Sequence, residues 1–138
     1  MTTKPSGPAR TDPQPTPPAP AGRRPDDLLP LPPRDYLILF ALVDGAMHGH
    51  GILKVVEEHS GGGMLDPANL YRSLRKLERD GLTVEVQDPP PAEDARPRRY
   101  YRLTELGEGV LAAESTRLAR LADAARARAL VADEERAR

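Results

Sequence analysis

The chain has no cysteine, no tryptophan, one phenylalanine and four tyrosines in 138 residues. Without a thiol there is no disulfide, no thiolate nucleophile and no cysteine-based zinc or iron–sulfur site. Long apolar runs are missing too. The longest, Tyr36 to Val43, is eight residues, against the roughly 20 needed to cross a bilayer, so no membrane partner is expected. The first residues carry a few bases but no apolar stretch behind them, which argues against a secretory signal and for the cytoplasm. An excess of one charge is also lacking: 20 Lys+Arg stand against 21 Asp+Glu, a net −1.

What is abundant is proline, and it is unevenly placed. Eleven of the 16 prolines fall in residues 1–33. Such a stretch has little apolar surface to bury, so residues 1–33 are expected to form a disordered, partly polyproline-II tail, with a DNA-touching arm built on Arg23 and Arg24 as the alternative. The remaining 105 residues suffice for one modest core, and a second copy of the chain would help to complete it.

The apolar run from Arg34 to Asp44 follows two prolines and precedes Gly45, the punctuation of a helix rather than a strand. Its apolar residues go all the way round, so Tyr36 and Phe40 are expected to meet a partner subunit while the other face meets the core. A second helix fits His50 to His59, ended by Gly61-Gly62-Gly63. Asp66 as cap and Pro67 as first residue open a third helix that Gly81 closes. On it Leu70, Leu74 and Leu77 form one stripe, and Arg72, Arg75, Lys76 and Arg79 point away from that stripe. Leu82, Val84 and Val86 alternate with polar residues as a half-buried strand. Asp88 to Pro97 is a stiff loop, and Arg98 to Leu103 returns with Tyr101 and Leu103 inward and Arg98, Tyr100 and Arg102 outward. Thr104 caps a long helix to about Val131, on which Leu111, Leu118, Leu121 and Ala125 share an arc suited to a subunit seam.

The near-zero net charge hides a segregation. Residues 67–79 carry +3, and residues 96–102 hold four arginines and no acid. The architecture expected is mainly α with a small β hairpin: a winged helix-turn-helix over residues 34–104, then residues 105–138 as a dimerisation helix with a frayed end. The third helix then enters the major groove of double-stranded DNA with Asn69, Tyr71, Arg72, Arg75 and Lys76. The wing brings Arg96, Arg98 and Arg99 to the phosphates or the minor groove. A homodimer of this kind requires an inverted-repeat operator. The rival reading is a winged-helix protein-interaction module that does not bind DNA.

Enzymatic readings find no support. His48 and His50 lie ~200° apart on a helix and cannot share a metal there. The triple glycine lacks the Lys-Ser/Thr of a phosphate loop, and Glu57 and Glu58 point apart. No catalytic residue, metal or cofactor is expected.

Three stretches also resemble a family. These are Tyr36-Leu37-Ile38-Leu39-Phe40 running on to His48-Gly49-His50-Gly51-Ile52, then Asn69-Leu70-Tyr71-Arg72-Ser73-Leu74-Arg75-Lys76-Leu77, and Arg98-Arg99-Tyr100-Tyr101-Arg102-Leu103-Thr104. In this order they look like the PadR-like transcriptional regulators, and the single helix after Thr104 resembles the shorter subgroup. The resemblance implies a homodimeric winged-helix repressor, dimerised through its last helix with help from the first, and often released from its operator by a small-molecule effector. The chain departs from the pattern in having His50 where tyrosine is common, and in lacking the tryptophan on which some members stack flat aromatic drugs.

Overall fold

A computed structural model describes residues 24–86 and 99–132. Local chemistry explains where its helices begin and end. α1 (Pro33–Ala41) has proline at its first position, where a missing N–H removes no helical bond. α2 (Gly49–Ser60) is capped by His48, whose Nδ1 accepts the Gly51 N–H at 3.1 Å. α3 (Pro67–Arg79) is capped by Asp66, whose Oδ1 accepts the Asn69 N–H at 2.8 Å. It closes with Gly81 at φ +82°, so that the Leu82 N–H reaches the Leu77 carbonyl at 2.9 Å and the Gly81 N–H reaches that of Glu78 at 3.0 Å.

Thr104 then joins the end of α3 to the start of α4 (Glu105–Ala127). Its Oγ1 accepts the Gly107 N–H at 2.9 Å and its hydroxyl donates to the Gly81 carbonyl at 2.5 Å. A Cβ at Gly107 would collide with the Leu82 carbonyl, so only glycine permits this approach. α4 stops at Ala127 rather than continuing to about Val131, because Ala129 turns to φ +61° and the Leu130 N–H folds back on the Ala125 carbonyl at 2.9 Å.

The sheet has three antiparallel strands rather than a two-stranded hairpin. β1 (Met47–His48) and β2 (Thr83–Val86) flank the central β3 (Tyr100–Leu103), with Met47 opposite Tyr101 and Thr83 opposite Leu103. Two residues are too few to show an alternation, so β1 left no periodic signal. The extra strand corrects the reading of Tyr100. Instead of facing outward it is buried, with the His48 ring edge-on at 5.5 Å. Thr83 is buried too, where the sheet meets the ends of α3 and α4, and its Oγ1 has no hydrogen-bond partner among the described residues.

One core joins all these elements. Ile38, Leu39 and Leu42 meet Ile52 and Val56 of α2, Leu70, Leu74 and Leu77 of α3, and Val110 and Leu111 of α4. Each such side chain contributes about 1.5–3 kcal/mol by burial.

The expected tail boundary at residue 33 is too late. Pro25–Leu28 form a 3₁₀ turn, Leu28 and Leu29 pack on the core, and Leu31 is buried. The reason is a tertiary bond that composition does not show: the Leu31 N–H donates to Glu114 Oε2 at 3.1 Å. Residues 1–23 of the expected tail, the loop 87–98 and the end 133–138 lie outside the described residues.

Candidate nucleic-acid interface

α3 buries Leu70, Ser73, Leu74 and Leu77 and turns Arg72, Arg75, Lys76 and Arg79 outward. Its first turn is organised as a chain of hydrogen bonds. Asp66 accepts both the backbone N–H of Asn69 and, at 3.2 Å, its side-chain amide, while Asn69 Oδ1 accepts from Arg72 Nη1 at 3.0 Å. Tyr71 is exposed at one edge and lies over the start of α2, where a Cβ at Gly49 would stand 2.5 Å from the Tyr71 hydroxyl. Arg75 and Arg79 make no ion pair among the described residues. Lys76 differs from them: its ammonium sits 3.3 Å from the carboxylate of Asp35 and 4.0 Å from that of Asp80.

Arg99 is exposed and faces Glu85 at 3.6 Å, while Arg96 and Arg98 lie outside the described residues. Arg102 is half-buried and donates to the Leu103 carbonyl at 3.3 Å. Between α3 and the wing, burial and then the neighbouring Glu85 carboxylate raise Glu78 above its ordinary 4.5, with Arg99 opposing them. Burial likewise raises the Tyr101 phenol, with Glu85 adding to the shift and Arg99 countering it. Where α3 meets β2 and β3, Glu78, Glu85 and Arg99 thus form a compact charged cluster rather than a purely basic one.

A groove of about 370 Å³ runs between α1 and α4, lined by Tyr36, Phe40 and Val43 on one side and Leu111, Ala112 and Ser115 on the other. The Tyr36 and Ser115 hydroxyls share a 2.8 Å hydrogen bond across it. Of the residues expected at a subunit seam, Tyr36 and Phe40 are half-buried here, Leu118 and Leu121 are exposed, and Ala125 is half-buried. Leu111 is already 6% exposed within the chain's own core, so a partner would find little of it left to cover.

Sequence reasoning missed Asp35, Glu114 and Arg117. Glu114 is 1% exposed and is gripped by Arg117 through 2.6 and 2.7 Å hydrogen bonds. Those bonds, with the Leu31 N–H, hold its carboxyl below the ordinary 4.5 despite burial. The one signal for Asp35 was an acid at the head of an otherwise apolar run.

Residues 38–113, more than half of the chain, match the Transcriptional regulator PadR-like family. Transcriptional regulator Rv3488 of Mycobacterium tuberculosis is 35% identical over 85 residues, covering 62% of this chain and 75% of that protein. An uncharacterized 37.1 kDa protein in transposon TN4556 of Streptomyces fradiae is 36% identical over 85 residues, and the chain spans 23% of its length. Among solved structures, a PadR family transcription regulator from Clostridium difficile is similar with TM-score 0.59 and 25% identity, over 67% of this chain and 94% of that one. A PadR family regulator from Eggerthella lenta gives TM-score 0.52 and 28% identity, over 67% and 80%. Asp35, residues 24–33 and Glu114 lie outside the matched stretch, which takes in α2, α3, the sheet and the first turns of α4. The chain belongs to the PadR-like family of transcriptional regulators.

Proposed function

We propose that the chain acts in the cytoplasm as a homodimeric repressor on an inverted-repeat operator and that a small-molecule effector releases it. The observation that carries this reading is the outward edge of α3, where Arg72 and Arg75 stand on a helix whose opposite face is locked into the core. Arginine there can neutralise phosphates and read guanine bidentately. Asn69 and Tyr71 flank it, and Arg96, Arg98 and Arg99 of the wing contact the neighbouring backbone. The exposed Leu118 and Leu121 on α4 and the α1–α4 groove support pairing of two copies, with the effector taken up at that seam. Two copies of α3 related by a dimer axis read half-sites about one helical turn apart, ~34 Å.

The test is a mobility-shift titration of the purified chain on its own promoter fragment and on unrelated DNA across a salt series. Tighter binding to the promoter, with affinity falling steeply in salt, is the expected result. Equal weak binding to both would sink the operator reading, and an absence of DNA binding with capture of an acidic protein would replace it with the protein-interaction reading.

A further inference from the structure

Lys76 looks, from its place on α3, like one more base for DNA, yet its ammonium is already spoken for inside the chain. The Asp35 carboxylate that holds it at 3.3 Å is only 4% exposed and comes from the first turn of α1, 41 residues away. Asp80, which caps the C-terminus of α3 one turn on, adds a second carboxylate at 4.0 Å. For Lys76 to reach a phosphate it would have to leave a buried carboxylate uncompensated. Stranding a buried charge is strongly unfavourable, whereas an exposed ion pair returns little. On that balance the closed pair is favoured over a phosphate contact, and its two charges largely cancel.

What the pair does have is leverage on placement. It ties the outer side of α3 to α1, and α1 turns its next residue, Tyr36, to the groove and to Ser115 of α4. A shift of α3 by a fraction of an ångström would misalign Arg72 and Arg75 against base edges, because bidentate readout tolerates little error. We infer that Asp35 is a positioning residue for DNA reading: by holding Lys76 it fixes the seat of α3 on α1, and Lys76 serves as a strut rather than as a phosphate contact. This rests on α3 being the DNA-reading helix.

Two roles for Lys76 give opposite signs for one substitution. Asp35→Asn removes the negative charge that holds Lys76 and frees the lysine. If Lys76 is a phosphate contact, all DNA should then be bound as tightly or more tightly. If the pair is a strut, binding to the preferred duplex should fall while unrelated DNA is held as before or slightly better. The measurement uses the full chain, a duplex that the unsubstituted chain enriches from a random pool, an unrelated duplex, a salt series, and thermal unfolding of every variant. For Asp35→Asn the expected loss is about tenfold or more in the ratio of the two affinities. Lys76→Gln should lower the melting temperature and leave the salt slope unchanged. Asp35→Asn with Lys76→Gln, which puts two amides face to face, should recover much of the ratio.

Unchanged or tighter binding of the selected duplex by Asp35→Asn would overturn the inference, as would equal losses on both duplexes. A salt slope flattened by about one unit in Lys76→Gln would do the same. Should Asp35→Asn fail to fold, the salt slope of Lys76→Gln and the recovery in the double variant decide alone. If the unsubstituted chain enriches no duplex, the DNA-reading helix itself is wrong and the inference falls with it, an outcome read before any variant is made.

Discussion

Leu31 and Glu114 are joined across 83 residues by a 3.1 Å hydrogen bond in which the Leu31 backbone N–H donates to a carboxylate that is almost fully buried. It anchors a strap, residues 24–33, along the first half of α4, with Pro25 resting against Gly109. A carboxylate in that position needs donors, and Arg117 supplies the others.

The strap should therefore contribute to stability. Deleting residues 1–31 removes the packing of Leu28, Leu29 and Leu31 and one charge-assisted hydrogen bond, which together are worth about 2–4 kcal/mol. The expected result is a melting temperature lowered by about 10 °C or more in a domain of this size. Deleting residues 1–23 alone should change it by much less. Equal midpoints for the two truncations would show that the strap adds nothing.

Acid should act through the same carboxylate. Glu114 has its folded-state value held below 4.5 by the Arg117 and Leu31 donors. Its unfolded value is the ordinary one, so its contribution is complete above about 4.5 and is lost as pH falls through the lower folded value. Glu114→Gln should be less stable than the native chain at neutral pH, and the gap should narrow as the solution is acidified below that point. Unfolding midpoints of both proteins across pH 7 to 3 check this, and a gap that stays constant throughout would exclude the carboxylate as the cause.

Much of the architecture was legible because helix ends are written locally. Asp66-Pro67, Gly81 and Thr104 each act within a few residues of themselves, and the Leu70, Leu74, Leu77 stripe repeats at helical spacing. What left no local sign acts over distance. Asp35 finds Lys76 and Leu31 finds Glu114 only once the chain has folded, and neither pairing leaves a periodic trace. Proline content describes residues 24–33 as poor core material, which is true of their average but not of Leu28, Leu29 and Leu31. Leu111 shares its helical spacing with Leu118, which points to one common seam, yet Leu111 is buried in its own domain and Leu118 is not. The helix wheel cannot tell the stretch of α4 that lies on its own domain from the stretch that overhangs it.

The two basic elements should fail in different ways when altered. Arg72→Ala removes a guanidinium that Asn69 holds at the outward edge of α3, and it should cost about 1–3 kcal/mol on the preferred duplex while relaxing discrimination at particular base pairs. Arg99→Ala, at the base of the wing, should weaken all duplexes alike and flatten the salt slope by about one unit for each phosphate that the side chain no longer neutralises. The pairing of Arg99 with Glu85 makes that effect smaller than for an unpartnered base, since the removed charge was partly neutralised already. Affinities of both variants on preferred and unrelated DNA over a salt series separate these outcomes. Identical behaviour of the two would end the division of labour.

The last expectation concerns the second copy of the chain. α4 has 23 residues and so extends ~35 Å. Within the chain only its first half is covered: Val110, Leu111 and Glu114 are buried, whereas Leu118 and Leu121 are 37% and 53% exposed. A leucine pair at that spacing on an uncovered helix loses stabilisation to water unless another apolar surface meets it. The α1–α4 groove, with its half-buried Tyr36 and Phe40, offers a further apolar surface beside the first turns of α4. Light scattering of the native chain should thus report about twice 15.1 kDa at micromolar concentration. Leu118→Asp leaves the folded protomer intact, because the new charge stays hydrated on an exposed surface, but burying it against a partner carries a desolvation penalty of several kcal/mol. Dissociation should strengthen by about a hundredfold or more, with helical content unchanged by circular dichroism. A native chain that scatters as a single copy, or a Leu118→Asp variant that still scatters as two, would rule out α4 as the seam.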